Sequence, residues 1–150
     1  MNVSIEPWEG DLQSAQIMLD IYEAAMPPIP KADREHAATF IRRNQKGFEN
    51  STLMAKLDGR IWGCVMLHKG SQKSMARLVG AVHPDMRNKG LGSVMFEAIK
   101  ERLKSRPDIT TLEAAAFQSC NEGRIFLQNS GFNEVDRLYW KQRKIEEAFP

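Results

Sequence analysis

Apolar positions along the chain fall into short alternating runs and longer helical stripes. Val3 and Ile5 alternate with polar neighbours and predict a first strand, closed by Pro7. Asp11 can cap a helix with an apolar stripe of Leu12, Ala15, Leu19, Tyr22 and Met26. Pro27-Pro28-Ile29-Pro30 forbids helix and predicts a stiff extended link. A second helix is expected over 33–46, with Ala37, Phe40 and Ile41 on one side and Gly47 just past its end. Residues 52–57 alternate, Asp58-Gly59 is a two-residue hairpin turn, and 61–67 is nearly all apolar. The last of these reads as a central strand covered on both faces. A polar turn at 70–74 leads to a strand over 76–82. Leu91, Val94, Met95, Ala98, Ile99 and Leu103 then recur at helical spacing. Arg106-Pro107-Asp108 closes that helix, 111–117 reads as a fifth strand, and 124–129 as a short helix stopped by Gly131. Residues 132–141 predict a last strand, followed by a charged tail over 142–150.

The junction between the strand at 76–82 and the long helix carries the chemistry. It reads Val82-His83-Pro84-Asp85-Met86-Arg87-Asn88-Lys89-Gly90-Leu91-Gly92-Ser93. Pro84 removes a ladder donor and ends the strand. Gly90 and Gly92 allow a sharp turn and close approach of the backbone to a bound group. The first amides of a helix lack intrahelical acceptors and carry the positive end of its dipole. With Arg87 and Lys89 alongside, this is a site for a phosphate or diphosphate. A P-loop is excluded because Lys89 precedes both glycines. A dinucleotide fingerprint is excluded because Met95 stands where its third glycine belongs. The plain alternative is a tight turn that binds nothing.

Composition narrows the picture further. At 150 residues the chain fits one domain with a real core. A net charge of +2 does not call for a nucleic-acid surface, and no apolar run approaches a membrane span. The first residues lack the pattern of a signal peptide, and Cys64 and Cys120 show no metal-type spacing. Reduced thiols in a cytoplasmic protein are the expectation, with no metal, no nucleic acid and no membrane partner. The charged ending leaves open a longer chain.

Arg87, Gly90 and Gly92, led in by Val82 and Pro84, resemble the acyl-CoA loop of the GNAT N-acetyltransferase superfamily. The element order resembles that family over almost the whole length, including the Gly131-Phe132 pair between the fourth helix and the sixth strand. The resemblance implies an α/β (α+β) fold with a mixed central sheet of about six to seven strands and four flanking helices, residues 1–150 forming a single domain. It implies acetyl-CoA as co-substrate, a small-molecule or protein amine as acceptor, and a homodimer as one option. The cofactor contacts carried over are Gly80, Ala81 and Val82 on the strand, Arg87, Asn88, Lys89, Gly90, Leu91, Gly92 and Ser93 on the loop, and Asn121. The strands at 80–82 and 113–117 are expected to splay around the pantetheine arm. A glycine merely packed beside a neighbour explains Gly80 equally well.

The resemblance also implies direct acyl transfer to an amine. Such a reaction needs a proton acceptor, a donor near the thioester oxygen and a proton for the leaving thiolate. Many relatives carry a Tyr four residues before the Gly-Phe pair; here that residue is Leu127, which cannot donate. The helix-start Asn of the family falls in register on Cys120, with Asn121 next to it. Catalytic candidates are Cys120, His83, Tyr139 and Glu113, with His68 beside them. The plain readings are a buried thiol for Cys120, loop packing for His83, core packing for Tyr139 and an exposed carboxylate for Glu113. The acceptor is expected against Trp8, Tyr22, Met26, Pro28, Ile29 and Phe40, with Glu23, Asp33 and Glu35 as attractors of a cation. A non-catalytic acyl-CoA-binding module is the alternative, motivated by Leu127; a domain binding some other nucleotide is a further one.

Overall fold

A computed structural model describes residues 2–25, 33–115, 121–134 and 139–143; for 115, 121, 122, 124, 133, 134 and 139–143 it describes the backbone alone. The strands are β1 (Val3–Pro7), β2 (Thr52–Leu57), β3 (Arg60–Lys69), β4 (Met75–Val82), β5 (Thr111–Ala115), β6 (Asn133–Glu134) and β7 (Tyr139–Arg143). The helices are α1 (Leu12–Ala25), α2 (Ala37–Asn44), α3 (Leu91–Leu103) and α4 (Asn121–Asn129). One seven-stranded sheet runs in the order β1-β2-β3-β4-β5-β7-β6. Among the described residues only β4 and β5 pair in parallel, and α3 makes the crossover between them.

Local chemistry explains most of these boundaries. The Asp11 side chain accepts from the Ser14 amide at 2.8 Å and caps α1. Asp58 and Gly59 both adopt positive φ, 52° and 78°, as the tight β2–β3 hairpin requires. Trp62 is the extra residue of a bulge, since Ala55 pairs with Gly63 and Lys56 with Ile61. At the end of α4, the Phe132 amide donates to the Leu127 carbonyl at 2.9 Å and the Gly131 amide to Gln128 at 3.1 Å. With Gly131 at φ +91°, that is a Schellman ending.

The sheet is covered on both sides. Leu91, Met95, Phe96, Ile99 and Leu103 of α3 pack with Val65, Leu67, Leu78 and Leu112 on one face. Ala15, Met18, Leu19 and Ile21 of α1 and Ala37 and Ile41 of α2 pack with Met54 and Cys64 on the other. Each fully buried aliphatic side chain contributes about 1.5–3 kcal/mol relative to exposure.

Several expectations need correction. Leu12, Phe40 and Val94 are exposed, and Met18, Ile21, Ala38 and Phe96 take core positions instead. The helix predicted over 33–46 is one 3₁₀ turn, Arg34–His36, capped by Asp33, followed by a shorter α2. Helix α4 begins at Asn121 rather than at 124, because Gly123 is tolerated inside it despite its low propensity. The single strand expected over 132–141 is two strands, β6 and β7, paired antiparallel. No Gly or Pro marks that reversal, so alternation alone could not locate it. The proline link at 27–30 lies outside the described residues.

Candidate active site

Strand β4 delivers the loop at its C-terminal end. After Val82, one 3₁₀ turn, Pro84–Met86, is capped by His83, whose Nδ1 accepts from the Asp85 amide at 3.1 Å. The His83 ring also meets Trp62 edge-on, with centroids 5.2 Å apart. This candidate proton relay is thus tied into the turn. Asn88 and Gly90 then take left-handed conformations, φ 61° and 83°. Gly90 is the N-cap of α3 and supplies no side chain to it. The first intrahelical bond is from the Val94 amide to the Gly90 carbonyl, 3.1 Å. The amides of Leu91, Gly92 and Ser93 therefore have no intrahelical acceptor. A Cβ on Gly90 would meet nothing within 4 Å, so the loop faces open space there. Asn88, Lys89 and Ser93 are exposed, Arg87 is half-buried, and the Leu91 side chain is in the core.

Gly92 also has a packing role: a Cβ there would stand 3.2 Å from the Phe126 ring of α4, which would have to give way to it. Gly80 is similar: a Cβ would lie 2.9 Å from the Cys64 carbonyl oxygen, and the β3–β4 register runs through it without a bulge.

The β4–β5 ladder extends from Met75↔Thr111 to Leu78↔Ala114. Among the described residues no rung follows, although β4 continues to Val82. The His83 amide donates to Trp62 of β3 at 2.8 Å, and Gly70 bonds Met75. Backbone groups alternate in direction along a strand. Arg77, Val79 and Ala81 therefore turn toward β3, whereas Ala76, Leu78, Gly80 and Val82 turn toward β5. Beyond Leu78 the groups of Gly80 and Val82 turn to the β5 side, where the continuation of β5, 116–120, lies outside the described residues.

Beside Gly80, on the α1–α2 face, lies a cavity of about 240 Å³. Met18, Leu19 and Tyr22 of α1 and Phe40, Ile41 and Asn44 of α2 form one wall. Thr52, Cys64, Val65, Met66, His68, Val79 and Gly80 form the sheet side. Burial raises the Tyr22 phenol above its usual value. The Cys64 thiol is pushed up to about 12 by burial and lies 3.8 Å from the Met18 carbonyl. It is a protonated, inert group at neutral pH. His68 is held below its usual value of 6.5, first by burial, against the raising effect of the Lys69 carbonyl, and further by the Arg77 charge. Its Nδ1 lies 3.2 Å from the Lys69 carbonyl oxygen. If Nδ1 carries the proton, Nε2 keeps a free lone pair.

The other candidates stand apart from the cavity. Glu113 is not an exposed carboxylate but is 2% exposed. Its Oε1 accepts from the Ser71 amide at 2.5 Å and the Ser71 hydroxyl at 2.8 Å, and Arg77 lies 3.8 Å from its Oε2. It clamps the β3–β4 turn. Trp8 is a core residue that donates to the Asp11 carbonyl, so only Tyr22 and Phe40 of the expected acceptor wall reach the cavity among the described residues. Glu23 lies 3.5 Å from Arg34, Asp33 caps a turn and pairs with His36, and Glu35 is exposed. Leu127 is buried with Phe132 in the α3-side core. Cys120, Met26, Pro28, Ile29 and the side chains of Asn121 and Tyr139 lie outside the described residues. Sequence reasoning missed Met18, Asn44, Thr52 and Met66. The alternation of Cys64, Met66 and His68 along β3 was the available signal for the sheet side. Among the described residues no group of His, Cys, Asp and Glu could hold a metal ion, and no helix is long and apolar enough to cross a membrane.

Comparison with known proteins agrees with this architecture. No curated protein matches the sequence. An N-acetyltransferase from Staphylococcus aureus Mu50 superposes with a TM-score of 0.78 at 14% identity, covering 95% of this chain and 99% of that one. YncA from Salmonella typhimurium, solved with its cofactor acetyl-CoA, gives 0.76 at 14% identity, covering 95% and 94%. The ribosomal-protein-S18-alanine N-acetyltransferase from Escherichia coli gives 0.70 at 18% identity, covering 95% and 94%. At these identities the likeness shows the fold alone. The sequence model of the Acetyltransferase (GNAT) family matches residues 16–132, and the chain belongs to that family.

Proposed function

We propose that this protein transfers an acetyl group from acetyl-CoA to a primary amine bound in the α1–α2 cavity. The observation that carries the reading is the adjacency of an uncapped α3 entrance at the end of β4 and a cavity bordering Gly80 of the same strand. The amides of Leu91, Gly92 and Ser93, with Arg87 and Lys89, would hold the diphosphate. The edge groups of Gly80 and Val82 would pair with the pantetheine arm, and a β4 amide near Val82 would stabilise the thioester oxygen. Acetyl-CoA supplies the acyl group as an activated thioester. The amine nitrogen bonds the acyl carbon as the carbon–sulfur bond breaks. His68, which is neutral near pH 7, accepts the amine proton through water, since the β3–β4 register sets it three residues along from the level of Gly80, and the leaving thiolate takes a proton from solvent. With Leu127 in the core, no Tyr on α4 serves as acid at that position.

The test is thiol release from acetyl-CoA across a panel of amines. Release above the amine-free rate, abolished by Gly90→Glu, supports transfer. A CoA-dependent rise in Tm without release for any amine would instead favour a binding module. Stabilisation by ATP or NAD and not by CoA would overturn both.

A further inference from the structure

The wall of the α1–α2 cavity specifies more than the presence of an acceptor. None of the described residues that line it carries a carboxylate or a fixed positive charge. Its polar groups are few: Tyr22, Asn44, Thr52 and His68. Thr52 is already engaged, its hydroxyl donating to Gln45 at 2.6 Å. Asn44 donates to the Phe40 carbonyl at 2.9 Å. Its volume of about 240 Å³ lies below the roughly 300–1,000 Å³ of sites that take drug-sized ligands. Among the described lining residues a polyamine or basic peptide would find no carboxylate partner, and an unpaired buried ion costs several kcal/mol.

Resting on the acyltransferase reading, we infer that the acceptor is a compact amine with an apolar body, an arylalkyl or branched alkyl amine. Its body packs between Met18, Met66 and Phe40, and its nitrogen lies toward Gly80 and His68. Tyr22 and Phe40 on one side and the flexible Met18 and Met66 on the other suit a flat or branched hydrocarbon. Carboxylates near the helices are directed elsewhere: Glu23 faces Arg34, and Asp33 faces His36.

The experiment uses the intact chain with ¹³C-methyl-labelled methionine, with phenethylamine as probe and CoA at saturation. The methyl resonances of Met18 and Met66 should shift saturably, and Phe40→Ala, at a half-exposed position, should lose much of that shift. In thiol-release assays kcat/KM for phenethylamine should exceed that for spermidine by at least about tenfold, the scale on which an apolar pocket discriminates. Unmoved methyls would overturn the inference, because occupancy is read without turnover. Preference for spermidine or an alanyl peptide would overturn it too, while leaving acyl transfer intact. Absence of CoA binding would strike the acyltransferase reading itself, and the methyl shifts would still report whether the cavity takes the apolar amine.

Discussion

Leu78 of β4 and Ala114 of β5 face each other in the last described rung of their parallel ladder. Four further residues of β4 follow, and alternate ones turn their backbone groups to the β5 side. Hydrogen exchange should therefore split by parity. The amides of Val79 and Ala81, bonded to β3, should be protected with or without ligand. Those of Gly80 and Val82 should exchange faster in the free protein and slow on addition of acetyl-CoA. Equal protection of all four in the free protein would place another chain segment against Gly80 and Val82 and remove the proposed pantetheine site.

The α3 entrance supports a paired prediction. Arg87→Ala should weaken CoA by about 1–2 kcal/mol, the scale of a lost charge-assisted hydrogen bond. Gly90→Ala meets no steric obstacle but holds an L-residue at φ +83°. It should cost stability of about 1 kcal/mol, with weakened CoA binding as the loop shifts. Calorimetry for affinity and urea unfolding for stability separate the two effects. Unchanged affinity in Arg87→Ala would take Arg87 out of the site.

Glu113 is a clamp in this structure, and its variants should behave accordingly. Removing a buried carboxylate that faces Arg77 and binds Ser71 leaves polar groups without compensation. Glu113→Ala should lower stability by about 3 kcal/mol, with little change in the affinity for acetyl-CoA. A folded, stable variant with a lost rate would instead return Glu113 to the role of base.

Cys64 should be silent toward alkylation in the folded protein. Burial drives its thiol up to about 12, so the thiolate is scarce at pH 8 and enclosed as well. Iodoacetamide followed by mass spectrometry should label Cys64 only after denaturation. Rapid native labelling would mean that the cavity floor opens.

The loop was legible in the sequence because its parts are contiguous. Val82, Pro84, Arg87 and Gly90 lie within nine positions, and their conformations follow from local sterics. The cavity was not legible, because α1, α2, β2, β3 and β4 each contribute to it and only the folded sheet brings them together. Glu113 shows the same limit: its burial depends on Ser71, 42 residues away. Gly92 was legible as a required glycine, but its reason was not. The ring of Phe126, on another helix, would have to give way to a side chain there.

His68 offers the sharpest pH test. Its charged neighbour on the sheet is Arg77 of β4, with Glu113 of β5 beyond, and Tyr22 of α1 shares the cavity. Burial and the Arg77 charge outweigh the Lys69 carbonyl, so the folded state disfavours imidazolium relative to the usual 6.5. The unfolded chain therefore binds the proton first as pH falls. His68 imposes no penalty above about 6.5, and stability is lost as pH drops from there through the lower folded value. The drop in Tm between pH 7.5 and 5.5 should be smaller in His68→Gln than in the natural chain. The rate should fall over the same acid range as the imidazole takes up its proton. Gln cannot accept a proton, so the variant should lose about a hundredfold in kcat, together with that acid limb. Its KM for acetyl-CoA should hold, since His68 lies on the acceptor side. A variant that keeps both rate and pH profile would leave water as the proton acceptor and His68 as part of the cavity wall.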